Sequence, residues 1–335
     1  MSATTSNPPT NAVNATGSAT NPSYVVRQIN VGITLGEGTF GQTASNQVTL
    51  SGLRVVANIA KRGAPAMDQA SLRIYGMPPA LMNQLSTLGV PQPMARPNNT
   101  IIIDAGDAVN GMSTVFVGQI QNAYQVLDDE NSFFQIDSWT GQLQAMIPAT
   151  PTSFPGGFDV ATAMAGLATK MGMAFENNGV QVRMPSSYFA GTYRDQVLRL
   201  AKAANIEAYF DSATANQFAT LAIWPKNGYR SSYPIPLIQA SSGLIGYPKF
   251  MQYAIAFRCI FNPSLRLGGA VQINSTLYPP SNAQANSPRQ QVQAAGANGI
   301  WYITKLALSL SSQEPNGPWF CECEGARLAG TPLPQ

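Results

Sequence analysis

The chain contains no histidine in 335 residues. That excludes Ser-His-Asp and Cys-His nucleophile arrangements and every metal site built on imidazole. Charge is scarce as well. Asp, Glu, Lys and Arg make up 10 % of the chain, against about 25 % in ordinary soluble domains. The formal net charge of +3 gives no strong field to gather DNA or anionic lipid. No apolar run reaches the roughly 18 residues that a membrane span needs. Residues Met1 to Ala19 lack the basic start and apolar stretch of a secretory signal. The three cysteines, Cys259, Cys321 and Cys323, are odd in number and too few for a disulfide framework. Reduced thiols and a cytosolic origin are the expectation.

What fills the space is Asn, Gln, Ser, Thr, Gly and Pro, beside 44 % hydrophobic residues. The length predicts two or three domains and is ample for a core. Burying charge at an interface costs desolvation, so interfaces are depleted of Lys and Glu. A low-charge chain is therefore either one largely covered by partners or an all-β protein with a polar, uncharged surface. Composition leaves both open.

From Val25 the apolar residues alternate. Ile29, Val31, Ile33 and Leu35 fall at every second position, as do Leu53, Val55, Ala57 and Ile59, then Leu72 and Ile74. Period two with one apolar face predicts antiparallel strands. A short helix is expected over Ala80–Leu88, with strands at Thr100–Asp104, Val115–Val126 and Ser132–Trp139. The cluster Pro148, Pro151, Pro155, Gly156, Gly157 cannot sit inside a sheet and marks a boundary. A helix capped by Asp159 follows, with Val160, Met164, Leu167, Ala168 and Met171 on one face. A second opens at Thr192, with Asp195 three residues on as in a capping box. Strands at Glu207–Asp211 and Phe218–Trp224 complete a small α+β unit. Pro225–Ser242 reads as a connector. The chain then returns to strands at Tyr253–Phe261, Ala270–Leu277, Trp301–Leu310 and around Trp319, with a polar loop over Pro279–Gly299.

Candidate chemistry fails on context. Gly36-Glu37-Gly38-Thr39-Phe40-Gly41 matches the glycine-rich phosphate loop, and Lys61 follows at a second strand, as in a kinase. A kinase also needs a His-Arg-Asp loop and Asp-Phe-Gly, and a dinucleotide site needs a helix directly after the glycines. Neither is present, so the motif reads as a hairpin connection. Asp104 with Asp107, and Asp128-Asp129-Glu130, are the carboxylate sets that could serve a glycosidase, yet both fit strand ends and turns. Cys321-x-Cys323 with Cys259 could offer three thiolates to a metal, yet alternation places all three on apolar strand faces, as buried inert thiols. Trp139, Trp224, Trp301 and Trp319 are scattered without basic interleaving, against a nucleic-acid platform. No catalytic, cofactor-binding or metal-binding residue is assigned.

Two stretches carry a resemblance. Gly243-Leu244-Ile245-Gly246-Tyr247-Pro248, then Asn262-Pro263-Ser264-Leu265-Arg266-Leu267-Gly268-Gly269, then Gly299-Ile300-Trp301-Tyr302-Ile303-Thr304, and finally Trp319 follow in order. Earlier come Asp104-Ala105-Gly106-Asp107 and Val115-Phe116-Val117-Gly118-Gln119-Ile120. This order resembles the baseplate hub proteins of contractile-tailed bacteriophages, related to the hub part of type VI secretion spike proteins. Many relatives carry a His-x-Gly-Asp-like stretch where this chain has Leu308-Ser309-Leu310-Ser311-Ser312.

The resemblance implies a mainly β fold in which two tail-tube-like β-barrel domains flank a small α+β domain. It divides the chain into an extended arm (1–22), a first barrel (23–147), an α+β insert (158–225), a second barrel (243–327) and a tail (328–335). It implies a homotrimer whose alternating barrels make a pseudo-sixfold ring, adapting a hexameric tail tube to a trimeric central spike. Partners would be a tail-tube-type protein, the spike, other baseplate proteins and a tape measure protein, in the virion. Trp319 would anchor the last barrel's core or an interface. A tailocin or type VI-like hub is the alternative within that class. A peptidoglycan hydrolase and a glycan-binding tail protein are the alternatives outside it.

Overall fold

The structure, a computed structural model, describes residues 25–327 apart from 42–44, 89–97, 128–130, 142–144, 147, 213–218, 252–253 and 276–297. The N-terminal arm, the C-terminal tail, Asp128–Glu130 and the Pro279–Gly299 loop as far as residue 297 lie outside the described residues.

The first β region runs β1 (Arg27–Thr34), β2 (Gln47–Leu50), β3 (Val55–Lys61), β4 (Gln69–Ile74), helix α1 (Pro79–Leu85), β5 (Thr100–Asp107), β6 (Gly111–Val126) and β7 (Phe133–Trp139). The last runs β15 (Leu237–Gln239), β16 (Leu244–Met251), β17 (Ala254–Ile260), β18 (Ala270–Asn274), β19 (Gly299–Ser311) and β20 (Trp319–Arg327). Alternation explains each. In β3, Val55, Ala57 and Ile59 face inward, and Lys61, at the next position of the same parity, is carried inside with them.

The two β regions form one sheet. Thirteen strands follow the order β16-β17-β20-β19-β3-β4-β7-β6-β5-β1-β2, with β18 on β19 and β15 on β18. The fold is mainly β with few helices, as expected. Among the described residues the ladders are open, and no arm closes on itself. The joint is β19 against β3, antiparallel from Leu306↔Lys61 to Ser311↔Val56. One apolar core extends beneath both arms, from Ile29, Leu72 and Phe134 to Phe257, Trp301 and Cys321.

Five strands of each arm repeat in the same order. The order β3-β4-β7-β6-β5 in one matches β16-β17-β20-β19-β18 in the other. Both hairpins carry an irregularity at the same place, between Ile120 and Asn122 in β6–β7 and between Ile303 and Lys305 in β19–β20.

Between the arms lie β8 (Thr152–Phe154), β9 (Phe158–Asp159), α2 (Val160–Lys170), β10 (Ala174–Asn177), β11 (Arg183–Met184), β12 (Ser187–Phe189), α3 (Tyr193–Ala203), β13 (Ile206–Asp211) and β14 (Thr220–Pro225). The sheet β10-β14-β13 is separate from the main one, and α2 and α3 pack on it around a second core. The caps are those read from the sequence. Asp159 accepts from the Thr162 N–H at 2.8 Å, and Thr192 and Asp195 form a capping box. The Pro225–Ser242 connector is more than a linker. It supplies β15, parallel to β18, and brings Arg230 into the interior.

Candidate assembly surfaces and a buried ionic junction

The outer face of the joined sheet carries two grooves that meet at the β3–β19 joint. Asn58, Ala60, Ser71, Asp137, Trp139 and Ser309 line one shallow groove of about 460 Å³. Lys249, Arg258, Lys305, Ala307, Glu322 and Glu324 line a second of about 620 Å³, and both grooves share Ala60 and Ala307. Charges on this face meet their opposites across strands. Arg258 pairs with Glu322, and Lys305 with Glu324 at 2.7 Å. Ser71 donates to Asp137 at 2.9 Å, and the Gln135 amide donates to both. The exposed pairs add little stability, and Arg62 and Lys249 beside them leave this groove with more cations than carboxylates.

The joint is sealed at the end of β19. Ser312 is buried, accepts the Val55 N–H at 3.0 Å through its hydroxyl and donates to the Leu53 carbonyl at 2.9 Å. Its own N–H reaches the Val55 carbonyl. Trp319 is buried edge-on to Phe261, and the Arg27 guanidinium lies 5.7 Å from its ring centroid while donating to the Gly317 carbonyl. Trp319 thus ties the last strand to β1, in both core and joint.

The α+β unit meets the sheet at a buried ionic junction. Arg230, fully buried, donates to Asp211 at 2.7 Å and to Glu176 at 2.6 Å. Lys61 stands 3.8 Å from Asp211. Asp68 accepts from the Tyr209 hydroxyl at 2.5 Å and the Ser212 hydroxyl at 2.7 Å. Arg194 on α3 donates to the Pro65 and Ala66 carbonyls in the β3–β4 connection. Burial pushes the Asp68 carboxyl up to about 6, against the pull of the Lys61 cation and its two hydroxyl donors. Burial lowers the Lys61 ammonium, opposed by Asp211 and Asp68. Burial also disfavours the Arg230 cation, but Asp211 and Glu176 more than offset it and hold the guanidinium charged. Gly268 completes the junction. Its φ is +76°, its N–H reaches the Ile303 carbonyl, and a Cβ there would stand 2.7 Å from the Trp224 ring. Only glycine meets both conditions.

The candidate motifs fall apart in space. Gly36–Gly41 belongs to the β1–β2 connection, closed by Leu35 N–H to Asn46 and Phe40 N–H to Ser45, with Phe40 in the core. Lys61 is locked in the ionic junction. Asp107 closes the β5–β6 turn by accepting from Val109 and Asn110, while Asp104 accepts from Thr114. Asp128–Glu130 lie outside the described residues. Cys259 and Cys321 sit opposite each other on β17 and β20, and all three thiols are buried and free. Trp139 lines a groove, while Trp224, Trp301 and Trp319 are buried. Among the described residues no group of three or more Cys, Asp or Glu is placed to hold a metal, and no helix is long and apolar enough to cross a membrane.

The open sheet with an α+β unit set between its arms is a fold shared with phage tail proteins. A tail protein from Neisseria meningitidis MC58 superposes with a TM-score of 0.54 at 8 % identity, over 89 % of this chain and 96 % of that one. The 43 kDa tail protein of prophage MuSo2 from Shewanella oneidensis gives 0.54 at 9 % identity, over 91 % and 98 %. A chain of the half-lidded Francisella PdpA-VgrG complex gives 0.50 at 8 % identity, over 92 % of this chain and 59 % of that one. At such identities the likeness is one of fold. No curated protein matches the sequence. Family membership comes from the sequence itself: the profile described as Baseplate hub gp41 matches residues 28–285, and the chain belongs to that family.

Proposed function

We propose that the chain is a structural, non-enzymatic subunit of a phage baseplate hub, acting as a homotrimeric adaptor between a hexameric tail tube and a trimeric central spike. One observation carries this reading. Pairing of β3 with β19 sets two equivalent arms side by side in a single sheet within one chain. Three copies then present six equivalent arms, which matches a sixfold tube, while the chain itself repeats only three times and matches a threefold spike. Family membership supports the hub assignment.

On this reading each arm rolls into a barrel-like unit in the assembled ring. The division is 23–147, 158–225 and 243–327. Partners are a tail-tube-type protein, the spike, other baseplate proteins and a tape measure protein, with the hub assembled in the host cytoplasm and carried in the virion. No residue is assigned to catalysis, a cofactor or a metal.

Native mass spectrometry of the purified full-length chain, with electron microscopy of the particle, tests this directly. Three copies in a ring with threefold symmetry are expected. A stable single chain or a hexamer at assembly concentrations overturns the adaptor reading.

A further inference from the structure

Of the groups that the proposed function leaves unused, two thiols of the second arm are the most specifically placed. Cys259 on β17 stands directly opposite Cys321 on β20. The Phe261 N–H donates to the Trp319 carbonyl, while the Ile260 N–H turns the other way, to the Gly243 carbonyl. Backbone groups alternate along a strand, so the Cys259 N–H points at β20 as that of Phe261 does. The two cysteines therefore form a hydrogen-bonded antiparallel pair, with Cα atoms roughly 5.5 Å apart. A disulfide needs about 4.4–6.8 Å and is commonest at about 5.5–6 Å. Both side chains are 0 % exposed, on the same inward face.

The sulfurs are in contact. The Cys259 thiol donates to Cys321, and the Asn262 N–H donates to the same Cys321 sulfur. The bond from Cys259 lowers the Cys321 thiol against the effect of burial, helped by the Asn262 N–H and the Lys61 cation. The same bond, with burial, raises Cys259. Cys321 is thus the nucleophile of the pair and Cys259 its resolving partner. Cys323, two residues on, faces Phe257 across the strands. It lies diagonal to Cys259 at roughly 7–8 Å, too far to bridge. The repeat between the arms shows that packing does not call for thiols here. Asp137 and Glu324 follow the two hairpin irregularities. Aligning them puts Ile74 and Phe134 at the places of Cys259 and Cys321. The first arm fills both places with hydrocarbon, 0 % and 1 % exposed.

We propose that Cys259 and Cys321 are an oxidative modification site, where a small hydroperoxide closes a cross-strand disulfide that staples β17 to β20. The Cys321 thiolate attacks one peroxide oxygen. The O–O bond breaks, giving a sulfenic acid on Cys321 and hydroxide. The Cys259 sulfur then attacks the Cys321 sulfur. The S–O bond breaks, and its oxygen leaves as water with the Cys259 proton. Two thiols lose two electrons and two protons, and one hydrogen peroxide becomes two waters. A water-sized oxidant suits a site with no exposed sulfur. The cover over the site is short. Leu244, opposite Cys259, and Ile245 are the last aligned residues before the β16 ladder shifts, and β16 ends the strand order. Local opening of that end strand admits the peroxide. The thiols stay reduced in a cytosol and close after the chain has left it. The closed loop runs from β17 through β18 and β19 to β20, so the bond restricts the unfolded second arm.

The test treats the full-length reduced chain with hydrogen peroxide under native conditions, at doses that fully oxidise free glutathione. Catalase then stops the reaction, and the chain is denatured in excess N-ethylmaleimide. With three cysteines in the sequence, the treated chain is expected to take up one maleimide by intact mass, and the untreated chain three. Digestion with trypsin and Glu-C is expected to join the Cys259 peptide to the Cys321 peptide. Cys323→Ala keeps that link and Cys259→Ala loses it. The linked protein is expected to melt about 4 °C or more above the reduced one, and dithiothreitol to reverse the shift. Three maleimides on treated wild type, a link from Cys321 to Cys323 or between chains, or sulfinic acid in place of the disulfide overturns the site, whatever the variants do. The expected link with an unchanged or lowered melting point overturns the staple.

Discussion

Asp68 shows what burial does to a charge whose partners are imperfect. It sits 2 % exposed with Tyr209 and Ser212 on one carboxyl oxygen, while its other oxygen has no hydrogen-bond partner. Lys61 lowers its pKa and Asp211 raises it, and Arg194 also lies within reach of its charge. Its folded-state value, raised from 3.8 to about 6, lies above the unfolded one. The folded chain therefore holds this proton where the unfolded chain has released it, and the contribution to stability is full below about pH 4 and fades as pH rises through 6. Asp68→Asn removes that dependence. Urea midpoints taken from pH 4 to 7 are expected to show a wild-type slope, worth on the order of 2–3 kcal/mol across the window, that is absent in the variant. An identical slope in both proteins refutes the assignment.

Among the elements, β19 bears the greatest demand, since it joins β18, β20 and β3. At its end the Ser312 hydroxyl joins the backbone bond from the Ser312 N–H to Val55 in holding the joint. Ser312→Ala leaves the buried Val55 N–H and Leu53 carbonyl without that partner and is expected to cost about 1–3 kcal/mol, read as a lower thermal midpoint. Ser312→Thr, which restores the hydroxyl, should recover most of it. A Ser312→Ala protein as stable as wild type shows that the joint is held elsewhere. The sequence showed the strands themselves, because period two is local: Val55, Ala57 and Ile59 announce β3 unaided. The Asp159 cap and the Thr192–Asp195 box were equally plain. The pairing of β3 with β19 was not, because strand partners 250 residues apart leave no local trace. The ionic junction was hidden for the same reason, with Lys61, Asp68, Glu176, Asp211 and Arg230 drawn from four separate stretches. One trace did exist: Lys61 shares the parity of Ile59, which places a cation on an inward face and calls for a buried carboxylate.

For the whole molecule, two cores lie on either side of that junction, and Arg230 bridges them. Arg230→Met leaves Asp211 and Glu176 without their main cation, a loss of about 3–5 kcal/mol for a broken buried pair. Calorimetry is expected to resolve one wild-type transition into two, with the α+β unit melting first. A single transition shifted as a whole means the cores are coupled by other contacts. The joint also has a consequence in time. Val56 leaves the ribosome long before Ser311, its partner across the joint. At roughly 5–20 residues per second the interval is on the order of ten to fifty seconds. Once Trp139 has emerged, the strands of the first arm are all present while the flank of β3 that β19 will cover is still bare, on a polysome where neighbouring nascent chains expose the same flank. Correct assembly is thus a race between the chain's own last strands and its siblings, and slowing translation ahead of Gly299 should favour the siblings.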